Sequence, residues 1–134
     1  MSPSGTEHPL FLLRNPGSST IKVRLRKSSF GIVSTNKPTV FRLYFGPTIT
    51  ANGTPLSEIN KNLESVLISQ TTTFLSPTIS SNGNILATFV SVSGFFVVEH
   101  DQTFILGAGD NLLITAQTTV NNTEVTYTLD WAEV

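Results

Sequence analysis

An all-β sandwich of about eight to ten antiparallel strands, with a jelly roll as the preferred arrangement, is what three observations in the 134-residue sequence predict. Apolar residues recur with period two, turn residues punctuate the chain at intervals of about 8–12 positions, and the composition suits sheets. Only 13% of the residues are charged, about half the share of an average soluble domain. Hydroxyls and amides fill the gap, with 15 Ser, 19 Thr and 10 Asn. A solvated helical bundle needs Glu, Lys and Ala in quantity. Disorder is disfavoured too, because 39% of the residues are hydrophobic and the formal net charge is −1. The length supports one core, expected as a single domain over 9–134 behind a flexible N-terminal arm at 1–8.

The first strand is expected over 9–14. Over 20–27, Ile21, Val23 and Leu25 alternate with Lys22, Arg24 and Arg26, which gives one buried and one cationic face. Segments 30–34, 39–45, 64–69, 72–76 and 84–92 follow, rich in Val, Ile, Thr and Phe and bounded by Gly, Pro, Asn or Ser. The strand at 94–100 contains Phe95-Phe96-Val97-Val98, and the strand at 111–117 contains Leu112-Leu113-Ile114. Both are apolar on two faces, so a loop, a terminus or another subunit must cover the second face. A short strand is expected at 102–106. The last, at 123–131, turns Val125, Tyr127, Leu129 and Trp131 inward and Glu124, Thr126, Thr128 and Asp130 outward. Leu56, Ile59, Leu63 and Val66, spaced three, four and three apart behind Ser57, allow at most a short turn of helix over 56–65.

One internal repeat is present. Residues 46–56 (GPTITANGTPL) match residues 76–86 (SPTISSNGNIL) at an offset of thirty. Asn-Gly at 52–53 and 82–83 suits type I′ turns. The repeat predicts two similar hairpin corners, with a duplicated binding loop as the sharper reading.

Signals for enzymatic chemistry are weak. The chain has no Cys, and its two histidines, His8 and His100, are too far apart for a local two-His metal motif. There is no nucleophile elbow of the G-x-S-x-G kind, and Gly107-Ala108-Gly109-Asp110 lacks the Lys of a P-loop. Glu99-His100-Asp101 is the densest ionisable cluster. On a strand Glu99 and Asp101 share a face while His100 points away, which reads as a polar strand end or as a two-carboxylate Ca²⁺ contact. No cofactor is expected. No apolar run is long enough for a transmembrane helix, and the N-terminus lacks the features of a signal peptide, so synthesis in a cytoplasm and no membrane partner are expected.

The charges are sorted along the chain. All eight Lys and Arg lie in residues 1–61 against Glu7 and Glu58, whereas residues 62–134 carry seven carboxylates and no Lys or Arg. Lys22, Arg24 and Arg26, flanked by Lys27 and Arg14, are the candidate partner contacts, because cations on one strand face repel unless something anionic lies opposite. Aromatic residues do not interleave with them, which disfavours nucleic acid and favours an acidic protein surface. Phe95, Phe96, Val97 and Val98 are the candidate contact between copies of the chain.

The order of landmarks resembles small jelly-roll virion proteins of tailed bacteriophages: head decoration (cement) proteins, head fibres and tail-tip modules. The resemblance is carried by Leu10-Phe11-Leu12-Leu13-Arg14-Asn15-Pro16 before the strand at 20–27, and by Phe41-Arg42-Leu43-Tyr44 leading into Pro47-Thr48-Ile49-Thr50-Ala51-Asn52-Gly53-Thr54. It continues through Phe104 to Ile114 and closes at Leu129-Asp130-Trp131-Ala132-Glu133. Ala108 stands where many such sequences have Pro, which implies a looser turn. The resemblance implies a non-enzymatic capsid decoration protein that trimerises, docks on the major capsid protein of the assembled head and holds adjacent capsomers together. A tail or fibre module that binds a host glycan is the alternative; with Trp131 turned inward, its aromatic platform falls to Tyr44 and a few Phe residues.

Overall fold

Period-two segments become strands in the computed structural model, which describes residues 6–32, 38–57, 69–91, 94–100, 104–118 and 125–134. Along the chain these are β1 (Glu7–Arg14), β2 (Val23–Ile32), β3 (Thr39–Phe45), β4 (Thr48–Ala51), β5 (Thr54–Leu56) and β6 (Thr72–Leu75). They continue with β7 (Thr78–Ser81), β8 (Asn84–Ser91), β9 (Gly94–Glu99), β10 (Ile105–Leu106), β11 (Asn111–Thr118) and β12 (Val125–Glu133). No helix occurs among the described residues. A six-stranded sheet has the order β5-β6-β1-β11-β3-β8. In a four-stranded sheet β2 is central, with β12 on one side and β9 and β10 end to end on the other. All pairings are antiparallel.

The inner faces of the two sheets form one core. Phe11, Leu13, Phe41, Leu43, Leu112 and Ile114 from the larger sheet meet Val23, Leu25, Phe30, Ile32 and Leu106 from the smaller. Aromatic pairs bridge the sheets: Phe30 packs on Phe41 with ring centroids 4.8 Å apart, and Phe11 meets the edge of Tyr127 at 5.6 Å. The inward set expected on the last strand, Val125, Tyr127, Leu129 and Trp131, packs against this core.

Several strands change sides partway along, β1 and β2 among them. In β1, Pro9 pairs with Thr115 and Phe11 with Ile114, so Leu10 is the extra residue of a bulge. In β2, Leu25 pairs with Trp131 and Lys27 with Asp130, so no residue of β12 opposes Arg26. One extra residue reverses the side-chain alternation. Inward residues of β2 are therefore odd-numbered before Arg26 (Val23, Leu25) and even-numbered after it (Ser28, Phe30, Ile32). That is why the separate strands expected at 20–27 and 30–34 are one: Ser28 and Ser29, turn formers by composition, are buried inside it.

The internal repeat forms neither hairpin. Only the glycines of the Asn-Gly pairs have positive φ, Gly53 at 94° and Gly83 at 88°, whereas a type I′ turn needs it at both central residues. β4 pairs with β7, the equivalent strand of the other copy, with Ile49 opposite Ile79. The corners interlock reciprocally. A Cβ on Gly53 would lie 2.1 Å from the Leu75 carbonyl oxygen, and one on Gly83 would lie 2.4 Å from the Phe45 carbonyl oxygen, the position thirty residues earlier. The symmetry extends outward, since β5 pairs with β6 as β8 pairs with β3.

Three further expectations meet the structure. Glu7 and His8, assigned to the arm at 1–8, belong to β1 and pair with Gln117 and Ala116; residues 1–5 lie outside the described residues. The helical turn over 56–65 falls outside them from Glu58 onward, as does nearly all of the strand expected at 64–69. The turn at Gly107–Asp110 has two closures despite Ala108: the Asp110 amide donates to the Gly107 carbonyl at 3.1 Å, and the Gly107 amide donates to Asp110 Oδ2 at 2.8 Å. Gly109, at φ 86°, takes the position that a type II turn reserves for positive φ.

Candidate functional site

The outward face of the four-stranded sheet gathers most of the residues singled out by sequence. Its centre is β2, and the Arg26 bulge splits it into two parts. On the β10 side, Val23 and Leu25 are fully buried, so Lys22 and Arg24 point outward. Arg24 stands opposite Ile105 on β10 and Ala132 on β12, and Ile105 is 46% exposed. Lys22 and Arg26 are exposed. No ion pair reaches Lys22, Arg24 or Arg26 among the described residues, and Arg24 Nε is buried without a hydrogen-bond partner.

Beyond the bulge the chemistry changes. Lys27 lies between Glu99 of β9, whose carboxylate is 3.5 Å from Nζ, and Asp130 of β12, its partner in register. Both members of the Lys27–Glu99 pair are mostly exposed, so the pair compensates charge without adding much stability. The next outward residues of β2 are small, Ser29 and Gly31. Val97 and Phe95 of β9 stand opposite them on one side and Thr128 and Thr126 of β12 on the other. A shallow groove results, lined by Lys27, Ser28, Ser29, Phe95, Val97, Thr128 and Asp130, with the Ser29 and Thr128 hydroxyls hydrogen-bonded across it. Phe95 is 64% and Val97 55% exposed. Val98 is half-buried; the backbone of Phe96 pairs with Phe30, and its side chain lies outside the described residues.

Arg14 is not part of this face. β1 and β2 lie in different sheets, and the chain crosses between them over residues 15–22. Asn15 holds the crossing, its Nδ2 donating to the Ile21 and Leu106 carbonyls at 3.0 and 3.2 Å. Arg14 projects from the other sheet, where it donates to Asn52 Oδ1 at 2.6 Å and to Asn111 Oδ1 at 3.3 Å. At the other end of β1, Glu7 accepts from Tyr44 and Thr115 at 2.7 and 2.5 Å and, through its second oxygen, from Asn82 at 3.3 Å. Asn52 and Asn82 belong to the two repeat corners, so the repeat acts as a clasp over this sheet. Leu113, at the centre of the apolar run at 112–114, is fully buried on the same outer face as Leu12. Tyr44 is buried and gives its hydroxyl to Glu7, and burial followed by that contact holds its pKa above the ordinary phenol value. The aromatic platform assigned to Tyr44 in the glycan reading is therefore not available.

His100 lies beneath the four-stranded sheet, on the side opposite this outward face. It is buried, Nε2 and the Ser28 hydroxyl share a hydrogen bond of 2.7 Å, and its backbone amide donates to the carbonyl of Arg26. Sequence reasoning placed His100 on a polar strand end and gave no sign of Ser28 as its partner, which lies 72 residues away. A Ser–His pair is chemically a nucleophile and base, yet Ser28 points into the core with 1% of its surface exposed. Burial lowers the His100 pKa and favours the neutral ring. Glu99 faces outward toward Lys27, and Asp101 lies outside the described residues. Among the described residues no three His, Asp or Glu side chains converge to hold a metal ion.

No protein-family model, curated protein or solved structure matches this chain.

Proposed function

We propose that this chain is a structural, non-enzymatic protein of a tailed-bacteriophage virion, a capsid decoration protein on a jelly-roll sandwich that docks as a trimer on the assembled head and stabilises adjacent capsomers. The observation that carries the proposal is the outward face of the four-stranded sheet. It presents exposed Phe95, Val97 and Ile105, together with the cations Lys22, Arg24 and Arg26, which no ion pair reaches among the described residues. Exposed apolar clusters on a small domain mark protein contacts, and a cation row adds steering toward an acidic surface. The partners are then further copies of the chain and the major capsid protein. The resemblance supplies the virion setting. The strand order β1-β11-β3-β8, which sets the first strand beside the eleventh, is the non-sequential pairing that jelly-roll connections produce.

Mixing the purified protein with capsids of its phage and counting bound copies tests this reading. Saturable binding at symmetric positions is expected, and Arg24→Glu/Arg26→Glu should weaken it about tenfold or more while leaving the fold intact. A chain that stays monomeric and does not bind capsids would contradict it.

A further inference from the structure

We infer that the bulge at Arg26 divides the docking face into two contact surfaces with different partners: a copy-to-copy surface centred on Phe95 and Val97, and a cationic surface of Lys22, Arg24 and Arg26 that takes an acidic surface of another protein. The inference rests on the docking reading above and assigns its two halves.

Charge compensation separates them. In the Phe95 half, Lys27 has a carboxylate on each side, Glu99 and Asp130, so this half carries no uncompensated positive charge. Its floor is low, since Gly31 has no side chain and the Ser29 hydroxyl is engaged with Thr128. In a cyclic assembly, residues nearest the axis meet their own copies. A row of like charges is repelled there, whereas an apolar surface whose single cation is paired gains from burial. The second copy therefore belongs on the Phe95 half.

The other half has the opposite character. The cross-strand neighbours of Arg24 are Ile105 and Ala132, which supply no countercharge. The buried and unpartnered Arg24 Nε is a donor without an acceptor. Like cations on one face are stabilised only by an anion opposite, and spread along a flat sheet beside exposed Ile105 they suit carboxylates on a protein surface. The bulge creates the division: Arg26 and Lys27 are successive exposed residues, and the outward row then passes from long cations to Ser29 and Gly31.

Three proteins test the assignment by sedimentation velocity and by binding of poly-L-glutamate at low and high salt: the wild type, Phe95→Ser/Val97→Ser and Arg24→Glu/Arg26→Glu. The wild type should self-associate and bind poly-L-glutamate, with binding that weakens as salt rises. Phe95→Ser/Val97→Ser should weaken self-association about tenfold or more and keep poly-L-glutamate binding; Arg24→Glu/Arg26→Glu should do the reverse. If Phe95→Ser/Val97→Ser fails to fold by circular dichroism, Val97→Ser alone gives the same readout. Self-association that survives in the apolar variant and is lost in the charge-reversed one overturns the assignment while leaving the docking reading in place. Equal poly-L-glutamate binding by the wild type and the charge-reversed variant overturns the cationic half. A wild type that is monomeric at every concentration overturns the docking reading itself, and the copy-to-copy half with it.

Discussion

At the scale of single residues, His100 makes stability depend on pH. Its ring is buried, bonded to Ser28 and packed 5.3 Å from the ring of Phe104. Because burial sets the folded-state pKa below the ordinary 6.5, the unfolded chain takes up the proton first as pH falls. The contribution of His100 is thus complete above pH 6.5 and is lost as pH drops below it. Denaturant midpoints at pH about 8 and about 5.5 should differ, and His100→Gln should reduce the difference. Glu133 acts at lower pH. Burial pushes its carboxyl up, but hydrogen bonds from Ser69, Thr71 and the Gln70 amide outweigh that and leave its pKa below the ordinary 4.5. Its contribution is present above pH 4.5 and disappears as pH falls through the depressed value.

The clasp glycines give a second residue-scale test. Gly53→Ala and Gly83→Ala each force a Cβ into a carbonyl of the opposite corner at a positive φ, and each should cost about 1–3 kcal/mol or more. Gly17→Ala, whose Cβ meets nothing within 4 Å, should stay within about 0.5 kcal/mol. Chemical denaturation of the three variants provides the comparison. Residue-scale legibility in the sequence was uneven for a physical reason. The inward turn of Trp131 and the outward turn of Lys22 and Arg24 follow from alternation within one strand. Partners such as Ser28 and His100, or Glu7 and Asn82, are set by which strands lie side by side, and periodicity carries no information about that.

At the scale of elements, β2 is the part whose geometry most affects the proposed site. Its ten residues keep Val23 and Leu25 inward before Arg26 and Phe30 and Ile32 inward after it. Deleting Arg26 removes the extra residue and leaves a regular alternation with all four still inward, so the variant should fold. Deleting Ser29 reverses the alternation beyond it, turns Phe30 and Ile32 outward and should abolish cooperative unfolding. Thermal melts followed by circular dichroism distinguish the two. The strand pattern was visible in sequence at 39–45, which forms β3 with those bounds, and at 111–117, which differs from β11 by one residue. The bulges were not, because a bulge is recognised by its partner strand and Arg26 continues the local alternation. β4, β5 and β7 were missed as strands because Pro and Asn-Gly break them into pieces of three or four residues; the repeat was the signal that marked them.

At the scale of the whole molecule, the two sheets expose different chemistry. The larger has the middle of its outer face covered by its own clasp, with Arg14 and Glu7 bonded to Asn52 and Asn82, and leaves Ile85 and Val90 exposed on its edge strand β8. The smaller leaves apolar side chains and cations outward. The sparse charge of the composition follows this division: the middle of one outer face, at Leu12 and Leu113, is buried by the chain itself, and we assign the other face to neighbouring subunits. The excess of cations before residue 62 is partly answered within the chain, since β9 and β12 bring Glu99 and Asp130 to Lys27, but no described carboxylate reaches Lys22, Arg24 or Arg26. The all-β sandwich was legible in the sequence; which sheet would be left open was not, because it depends on where the repeat folds back. Sedimentation equilibrium of the wild-type protein over a wide concentration range tests the central claim most directly. A species of about three times the 14.5 kDa chain mass, populated increasingly with concentration, is the predicted result. A single species at the monomer mass throughout would contradict it.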